Sequence, residues 1–509
     1  MTRKRNFGDS ILGGIEKVGN KLPHPITLFF LLAGLTLVLS WIVSMLGITV
    51  VHPTTGETVE AVNLLSREGI QNIFGRAVTN FTGFAPLGTV LVAMLGVGVA
   101  DRTGLIKALI KVLVLGAPDA LLTAAVVFAG IMSNIASDAG YVVLVPLGAI
   151  IFAVKGRHPL VGLAAAFAGV SGGFSANLLL STIDPLLAGL TAESAQLLDP
   201  TYAVPPTVNW YFMIASTFLV TLVATWVTER IVAPRLGEYK GEHIDQLDEV
   251  TSAEKKGLVW ALIAMLLVAA FFAALTVPAN GILRNDQGEI IAGNSPFVQS
   301  MVPIIALMFL IPGLAFGVAV GNVKSDGDVA TYLSKSMQEM GGYIALAFAA
   351  GQFVAYFGWS NIGTILAVSG AEFLQAINLT GLPLIIMFII VAGFINLFLG
   401  SASAKWAIMA PVFVPLFMQL NYSPEFTQMA YRIGDSVTNI ISPLMPYFAI
   451  IIAFAEKYDH NIGIGTLIST MLPYAIALLI AWILLLVLWF LLQLPIGPGG
   501  TIFLGMLLM

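Results

Sequence analysis

The chain has 509 residues with a mean hydropathy of +0.92; 58% of them are hydrophobic and only 10% charged, for a net charge of −5. That composition lies far outside the range of soluble domains and predicts an all-α polytopic membrane protein. Cysteine is absent, which excludes disulfides, thiolate metal centres and cysteine nucleophiles, and no nucleic-acid partner is expected.

The first five residues include Arg3, Lys4 and Arg5, yet the apolar run that follows starts near Pro25 and has no small-residue cleavage site. It reads as a retained first span rather than a secretory signal. Apolar stretches near 25–49, 83–100, 160–182, 208–229, 257–278, 298–320, 342–368, 425–453 and 466–493 predict nine transmembrane helices. Two more, about 118–153 and 381–419, are interrupted midway by Ser133-Asn134-Ile135-Ala136-Ser137-Asp138 and by Gly400-Ser401-Ala402-Ser403. Taken as re-entrant hairpins, they leave 18 of the 23 basic residues on the cytoplasmic side, with the N-terminus. Only Arg67, Arg76 and Arg284 then fall outside, while Lys405 and Arg432 lie at membrane depth.

The hairpins carry one skeleton, 265 positions apart. Tyr141, Pro146, Pro159 and Gly169-Val170-Ser171 match Trp406, Pro411, Pro424 and Gly434-Asp435-Ser436. The first hairpin exits into Lys155-Gly-Arg157-His158, the second into Gln419-Leu-Asn-Tyr-Ser423, which has no basic residue, so the repeat is predicted to be inverted. The organisation is then an N-terminal segment, first span and loop (1–82), a first repeat (83–229), a cytoplasmic linker (230–256), intervening scaffold spans (257–341) and a second repeat (342–509). Glu238, Glu242, Asp245, Asp248 and Glu249 mark the linker as a solvated segment.

Broken backbone at membrane depth must line protein or a water cavity, because hydrocarbon satisfies no amide. The tips therefore predict the site. Their hydroxyls, amides and free carbonyls suit a small cation such as Na⁺, and half-helix N-termini attract an anion. Arg432 and Asp435 share a helix face, which Asn439 continues. A lone charge at that depth costs about 2.5–3.5 kcal/mol on insertion scales, so Arg432 is expected to hold a substrate carboxylate and Asp435 a proton or Na⁺; a locked Arg432–Asp435 pair is the structural alternative. Phe167 and Val170 stand at the matching positions of the first repeat, so the site is asymmetric. Asp184 is the nearest acidic group of the first half, either a site residue or a helix cap. Trp406 is expected to stack on a planar substrate ring. Lys405 either lines the cavity or reaches water.

At these residues the chain resembles the AbgT family of transporters, through Gly-Asn-Lys-Leu-Pro-His-Pro (19–25), Gly-Phe-Ala-Pro-Leu-Gly (83–88), Ser-Asp-Ala (137–139), Gly-Arg-His-Pro (156–159), Asn-Trp-Tyr-Phe-Met (209–213), Asn-Gly-Ile-Leu-Arg (280–284), Ala-Pro-Val-Phe-Val-Pro (410–415) and Leu-Pro-Ile-Gly-Pro-Gly (494–499). The resemblance implies nine transmembrane helices with two re-entrant hairpins, a homodimer in the bacterial inner membrane, and transport roles for Asp184, Asn396, Ser403, Trp406, Pro424, Arg432, Asp435 and Pro443. It also implies a cation site that includes Asp435 and Asn439; Asn134 joins them as a candidate Na⁺ ligand, and Asp138 joins Asp435 as a candidate coupling carboxylate.

The expected function is secondary active transport of p-aminobenzoyl-glutamate or a related folate-pathway or sulfonamide-type aromatic anion, driven by H⁺ or Na⁺, with no other cofactor. Two other readings compete: a sodium-coupled dicarboxylate carrier, and an intramembrane aspartyl protease pairing Asp435 with Asp138 or Asp184. The protease would need two aspartates sharing a proton.

Overall fold

The computed structural model describes residues 23, 25–51, 56–136, 139–239, 250–290, 295–443, 445, 447–460 and 462–505. Asp138, the basic residues from Arg3 to Lys21, and the linker residues Lys240, Glu242, Asp245, Asp248 and Glu249 lie outside them.

The described chain is helical apart from a small hairpin, β1 (Thr49–Val51) and β2 (Thr58–Glu60). Helix α1 (Pro25–Leu46) precedes it, and α2 (Arg67–Gly75) and α3 (Ala77–Thr82) follow. Next come α4 (Ala85–Arg102) and α5 (Leu105–Leu115), bent by 62° where Gly104 adopts φ +89°. The first hairpin is α6 (Leu122–Ser133) and α7 (Ala139–Val154); α8 (Pro159–Phe167), α9 (Ile183–Ala195) and α10 (Trp210–Val227) complete that half.

Helix α11 (Ser252–Thr276) packs on α12 (Met301–Val320), which packs in turn against α4, and α13 (Asp326–Glu339) is a polar helix opened by a Ser325/Asp328 capping box. Then follow α14 (Gly341–Trp359), α15 (Ile362–Ala376), the second hairpin α16 (Gly381–Asn396) and α17 (Ala402–Gln419), α18 (Pro424–Asn439), α19 (Phe448–Glu456) and α20 (Ile464–Leu492). On α11 only Gly257, Ala261, Val268 and Thr276 are buried, while Leu266, Leu267 and Phe271 stand exposed. A helix with so much apolar surface outside the protein faces lipid.

Both interrupted stretches break where the sequence predicts. Among the described residues six helices are long and apolar enough to cross a membrane, or seven with the bent α4–α5 pair. Three predicted spans are not continuous helices. The 160–182 stretch loses its helix after Gly172; the 342–368 stretch divides at Ser360 and Asn361, whose φ is +59°; the 425–453 stretch breaks between Asn439 and Phe448. Apolar composition measures length in hydrocarbon and is blind to these turns.

Helix α10 is a ruler between the hairpins. At its C-terminal end Arg157, at the exit of the first hairpin, pairs with Glu229 at 2.7 Å and donates to Thr123 at the entrance. At its N-terminal end the Phe212 amide donates to Ile496, and Asn209 to the Glu425 carbonyl just past the second hairpin's exit. The second hairpin's entrance is there too, since the Tyr422 hydroxyl meets the Gly381 amide. The two ends lie roughly 27 Å apart, at 1.5 Å per residue over 18 residues. Each hairpin thus enters and leaves at one end of the molecule, and the ends differ.

The C-terminal strap fixes the second of these ends. Ser423 donates from its amide to Ile502, and Leu504 to Asn421. A Cβ on Gly497 would lie 2.2 Å from the Thr207 carbonyl oxygen, so only glycine fits against that backbone. Gly497→Ala is expected to destabilise the protein by about 1–3 kcal/mol through overpacking, read as a lower Tm in detergent; an unchanged Tm would show that the strap does not set this contact.

Candidate functional site

The two hairpins cross their following helices in the same way. On α6, Gly130 sits against Gly169 of the α8 extension, and a Cβ on Gly169 would come 2.4 Å from the Val127 carbonyl oxygen. On α16, Gly393 sits against Gly434 of α18, where a Cβ would come 2.3 Å from the Ile389 oxygen. An asparagine at each tip then spans the crossing: Asn134 Nδ2 donates to Val170 O at 2.9 Å, and Asn396 Nδ2 to Asp435 O at 2.8 Å. Val170 and Asp435 are matched positions of the sequence repeat.

A cavity of about 330 Å³ opens between the tips. Its walls include Asn134, Tyr141, Ser401, Ser403, Asn439 and Tyr447. Tyr141 and Tyr447 stack at 4.5 Å with planes 7° apart. Asn134 Oδ1, at the other end of the amide whose nitrogen is bonded, makes no hydrogen bond. Helix α17 begins at this cavity, with Ser401 as its N-cap accepting from the Ala404 amide and Ser403 Oγ 3.4 Å from Ser401 Oγ. First-turn amides and two hydroxyls give this wall an affinity for anions.

The buried charges lie behind that wall, and their pairing differs from the one expected. Arg432 and Asp435 do not pair with each other. Arg432 Nη1 is 2.6 Å from Asp184 Oδ1, with the two side chains 1% and 0% exposed. Asp184 Oδ2 accepts from the Ser181 amide and hydroxyl at 2.6 and 2.9 Å, so this aspartate both ties the turn before α9 and neutralises Arg432. Despite the short ion-pair distance, Arg432 Nε, Nη1 and Nη2 make no aligned hydrogen bond among the described residues, and neither does Asp184 Oδ1. Charge holds the pair, and the planar donor fork is unsatisfied.

Asp435 belongs to Lys405, which neither lines the cavity nor reaches water. Its ammonium is fully buried, 2.6 Å from Asp435 Oδ1, 2.6 Å from Asn396 Oδ1 and 5.3 Å from the Tyr431 ring centroid. Asn396 also donates to Thr438 and to Asn439 Oδ1 at 2.7 Å, and Asn439 Nδ2 lies 3.5 Å from Asp435 Oδ2. Of the three residues expected to hold Na⁺, Asp435 and Asn439 thus already have protein partners, and Asn134 stands at the other tip.

Trp406 is buried as well, stacked on Tyr431 at 4.4 Å. The half-buried aromatic side chains at the cavity are instead Tyr447, Phe174 and Tyr343, with the repeat partner Tyr141 fully buried behind Tyr447. Trp406 begins a buried chain: its Nε1 donates to Thr191, whose hydroxyl is 2.6 Å from Gln428 Oε1, and Gln428 donates to Asn209. Pro424 opens α18 behind the N-cap Ser423, and Pro443 is half-buried in the break that follows the helix. Glu425, Gln428, Arg432, Asp435 and Asn439 form one polar stripe at spacings of three and four on α18. Extending the Arg432 face backwards along the sequence would have found the first two.

Residues 10–504 match the model of the AbgT transporter family. The chain belongs to the AbgT family. It is 39% identical to the p-aminobenzoyl-glutamate transport protein of Escherichia coli (strain K12) over 489 residues, 96% of each chain. Its fold is similar to the crystal structure of the Alcanivorax borkumensis YdaH transporter, with a TM-score of 0.89 and 44% identity over 94% of this chain and all of that one. It is also similar to Neisseria gonorrhoeae MtrF, which represents a class of antimetabolite efflux pumps, with a TM-score of 0.90 and 48% identity over 96% of this chain and all of that one. This AbgT-family chain is a multi-pass membrane transporter of a small molecule, and not an enzyme.

Proposed function

We propose that the protein is a secondary active transporter of p-aminobenzoyl-glutamate or a related aromatic carboxylate, sulfonamide-type antimetabolites included, coupled to an H⁺ or Na⁺ gradient. The observation that carries this reading is the cavity between two broken hairpins, with an aromatic stack on one side and a capped helix N-terminus on the other. Tyr447, backed by the buried Tyr141, would meet the aryl ring, Ser401 and Ser403 the anionic end. Arg432, whose guanidinium lacks aligned partners, would take the carboxylate when the tip moves. Asp435 would carry the coupling ion, as its burial at the tip suggests.

The crossings at the matched Gly169 and Gly434, the asparagine that spans each of them and the opposite ends of entry support nine crossings with two hairpins in an inverted repeat. On that reading one hairpin domain rocks against the scaffold. The ion pairs Arg157–Glu229 and Lys111–Glu254 gather at one end the residues that charge bias places in the cytoplasm. That favours a cytoplasmic N-terminus in a bacterial inner membrane; a homodimer is the assembly proposed with it. A coupled carrier runs where its gradients drive it, so one site serves uptake and efflux.

Flux of labelled p-aminobenzoyl-glutamate and of a sulfonamide in proteoliposomes, with H⁺ and Na⁺ gradients imposed separately, tests the proposal. Accumulation against a concentration gradient is expected; flux that only equilibrates would reject coupling. Tyr447→Ala should raise the KM for aromatic substrates about 3- to 10-fold, since an aromatic pair contributes roughly 0.5–1.5 kcal/mol. Equal losses for an aliphatic dicarboxylate would reject the aryl assignment and favour a dicarboxylate carrier.

A further inference from the structure

Lys405 is a full charge placed where charge is least welcome. It lies in the first turn of α17, at the positive end of the helix dipole, and its side chain is 0% exposed. What holds it there is a cradle of oxygen: Asp435 Oδ1 and Asn396 Oδ1, both at 2.6 Å, with the face of Tyr431 on a third side. A carboxylate, an amide carbonyl and an aromatic face are also what a dehydrated monovalent cation requires.

The local charge sum is already zero. Arg432 is matched by Asp184 and Lys405 by Asp435. Adding Na⁺ at Asp435 with Lys405 in place would leave an uncompensated positive charge in the interior, which burial penalises heavily. Only one cation fits: the tethered ammonium or a free ion. The titratable groups on the helices packed against α17 are Asp184 and Glu193 on α9, Tyr343 and Tyr356 on α14, Glu372 on α15, and Glu425, Tyr431, Arg432 and Asp435 on α18; α16 has none. Of these, Asp435 and Tyr431 meet Lys405, while Asp184 takes Arg432 and Glu425 accepts from Tyr202.

We propose that Lys405 is a built-in substitute for a bound cation: its ammonium fills the cation position at the second tip, held by Asp435 Oδ1 and Asn396 Oδ1, so that Na⁺ is excluded from it. This rests on the coupled-transporter reading above and narrows the coupling ion within it.

The test is Lys405→Gln, with the full-length protein in proteoliposomes and labelled p-aminobenzoyl-glutamate as the probe. Wild-type flux should be unchanged when choline replaces Na⁺. The variant should acquire Na⁺-stimulated flux, at least tenfold over that in choline, because its vacated carboxylate cradle accepts the ion. Wild-type flux driven by a Na⁺ gradient at equal pH, or a variant as indifferent to Na⁺ as the wild type, overturns the proposal.

A measurement without substrate decides the matter even where the variant does not fold. The Tm of the detergent-purified wild type should be the same in NaCl and in choline chloride, and a Na⁺-specific rise overturns the assignment. If no gradient drives flux in the wild type, the transport reading itself fails, and the Tm comparison still judges Lys405.

Discussion

Asp184→Asn is expected to destabilise the protein by about 3–5 kcal/mol and to abolish transport, because it strands the Arg432 guanidinium in the interior. Arg432 is 1% exposed and makes no other ion pair or hydrogen bond among the described residues. By contrast the surface pair Lys155–Asp119, with side chains 47% and 75% exposed, should contribute under about 1 kcal/mol. Thermal melts in detergent check the first number. The double variant Asp184→Asn with Arg432→Gln should recover most of the Tm, since no lone charge remains, and still fail to transport. That split separates the structural cost of the stranded charge from the loss of the substrate's counter-ion. A single Asp184→Asn variant with wild-type Tm and flux would show that the pair serves neither purpose.

How far the sequence reaches is plain at the tips. Small and polar residues inside apolar runs located both breaks, because an amide in hydrocarbon must find a partner and these segments had none in a helix. The opposite-ended reading of the hairpins came from charge alone, since Lys155 and Arg157 flank one exit and no basic residue the other. The interrupted spans at 360–361 and 440–447 were not: Asn361 reaches φ +59° inside a run whose composition alone reads as one crossing.

Within the site, Arg432, Asp435 and Asn439 were found from their spacing on one helix, but not their partners. Lys405 and Asp184 come from α17 and the start of α9, and only tertiary packing decides which base meets which acid. Trp406 illustrates the same limit. Adjacency to a break set its depth, whereas the docking of α17 on α9 and α18 turned its ring onto Tyr431 and its N–H toward Thr191. Tyr141, in the matching place of the first hairpin, is just as buried, but the ring stacked on it, Tyr447, borders the cavity.

Gly434→Ala should be the most damaging methyl addition where α18 crosses the second hairpin. Its Cβ would stand 2.3 Å from the Ile389 oxygen and 2.9 Å from the Gly393 nitrogen, both backbone atoms that cannot rotate away. Helices α16 and α18 must therefore separate, which pulls Asn396 from the Asp435 carbonyl now 2.8 Å distant and loosens the oxygen cradle around Lys405. A loss of about 1–3 kcal/mol is expected from overpacking, together with most of the transport activity. Gly172→Ala is the control: the nearest atom to its Cβ would be the Leu478 side chain at 3.0 Å, which can shift, so its stability should stay within about 1 kcal/mol of wild type. Gly169→Ala completes the comparison, for its Cβ would meet the Val127 oxygen at 2.4 Å, the same clash in the first hairpin. If the crossings are equivalent halves of one mechanism, Gly169→Ala and Gly434→Ala should lower the Tm alike. They should still differ in coupling, because only the second crossing carries Asp435 and Lys405. A Gly169→Ala variant with wild-type stability would break the structural equivalence, and one that alters ion coupling as Gly434→Ala does would break the asymmetry.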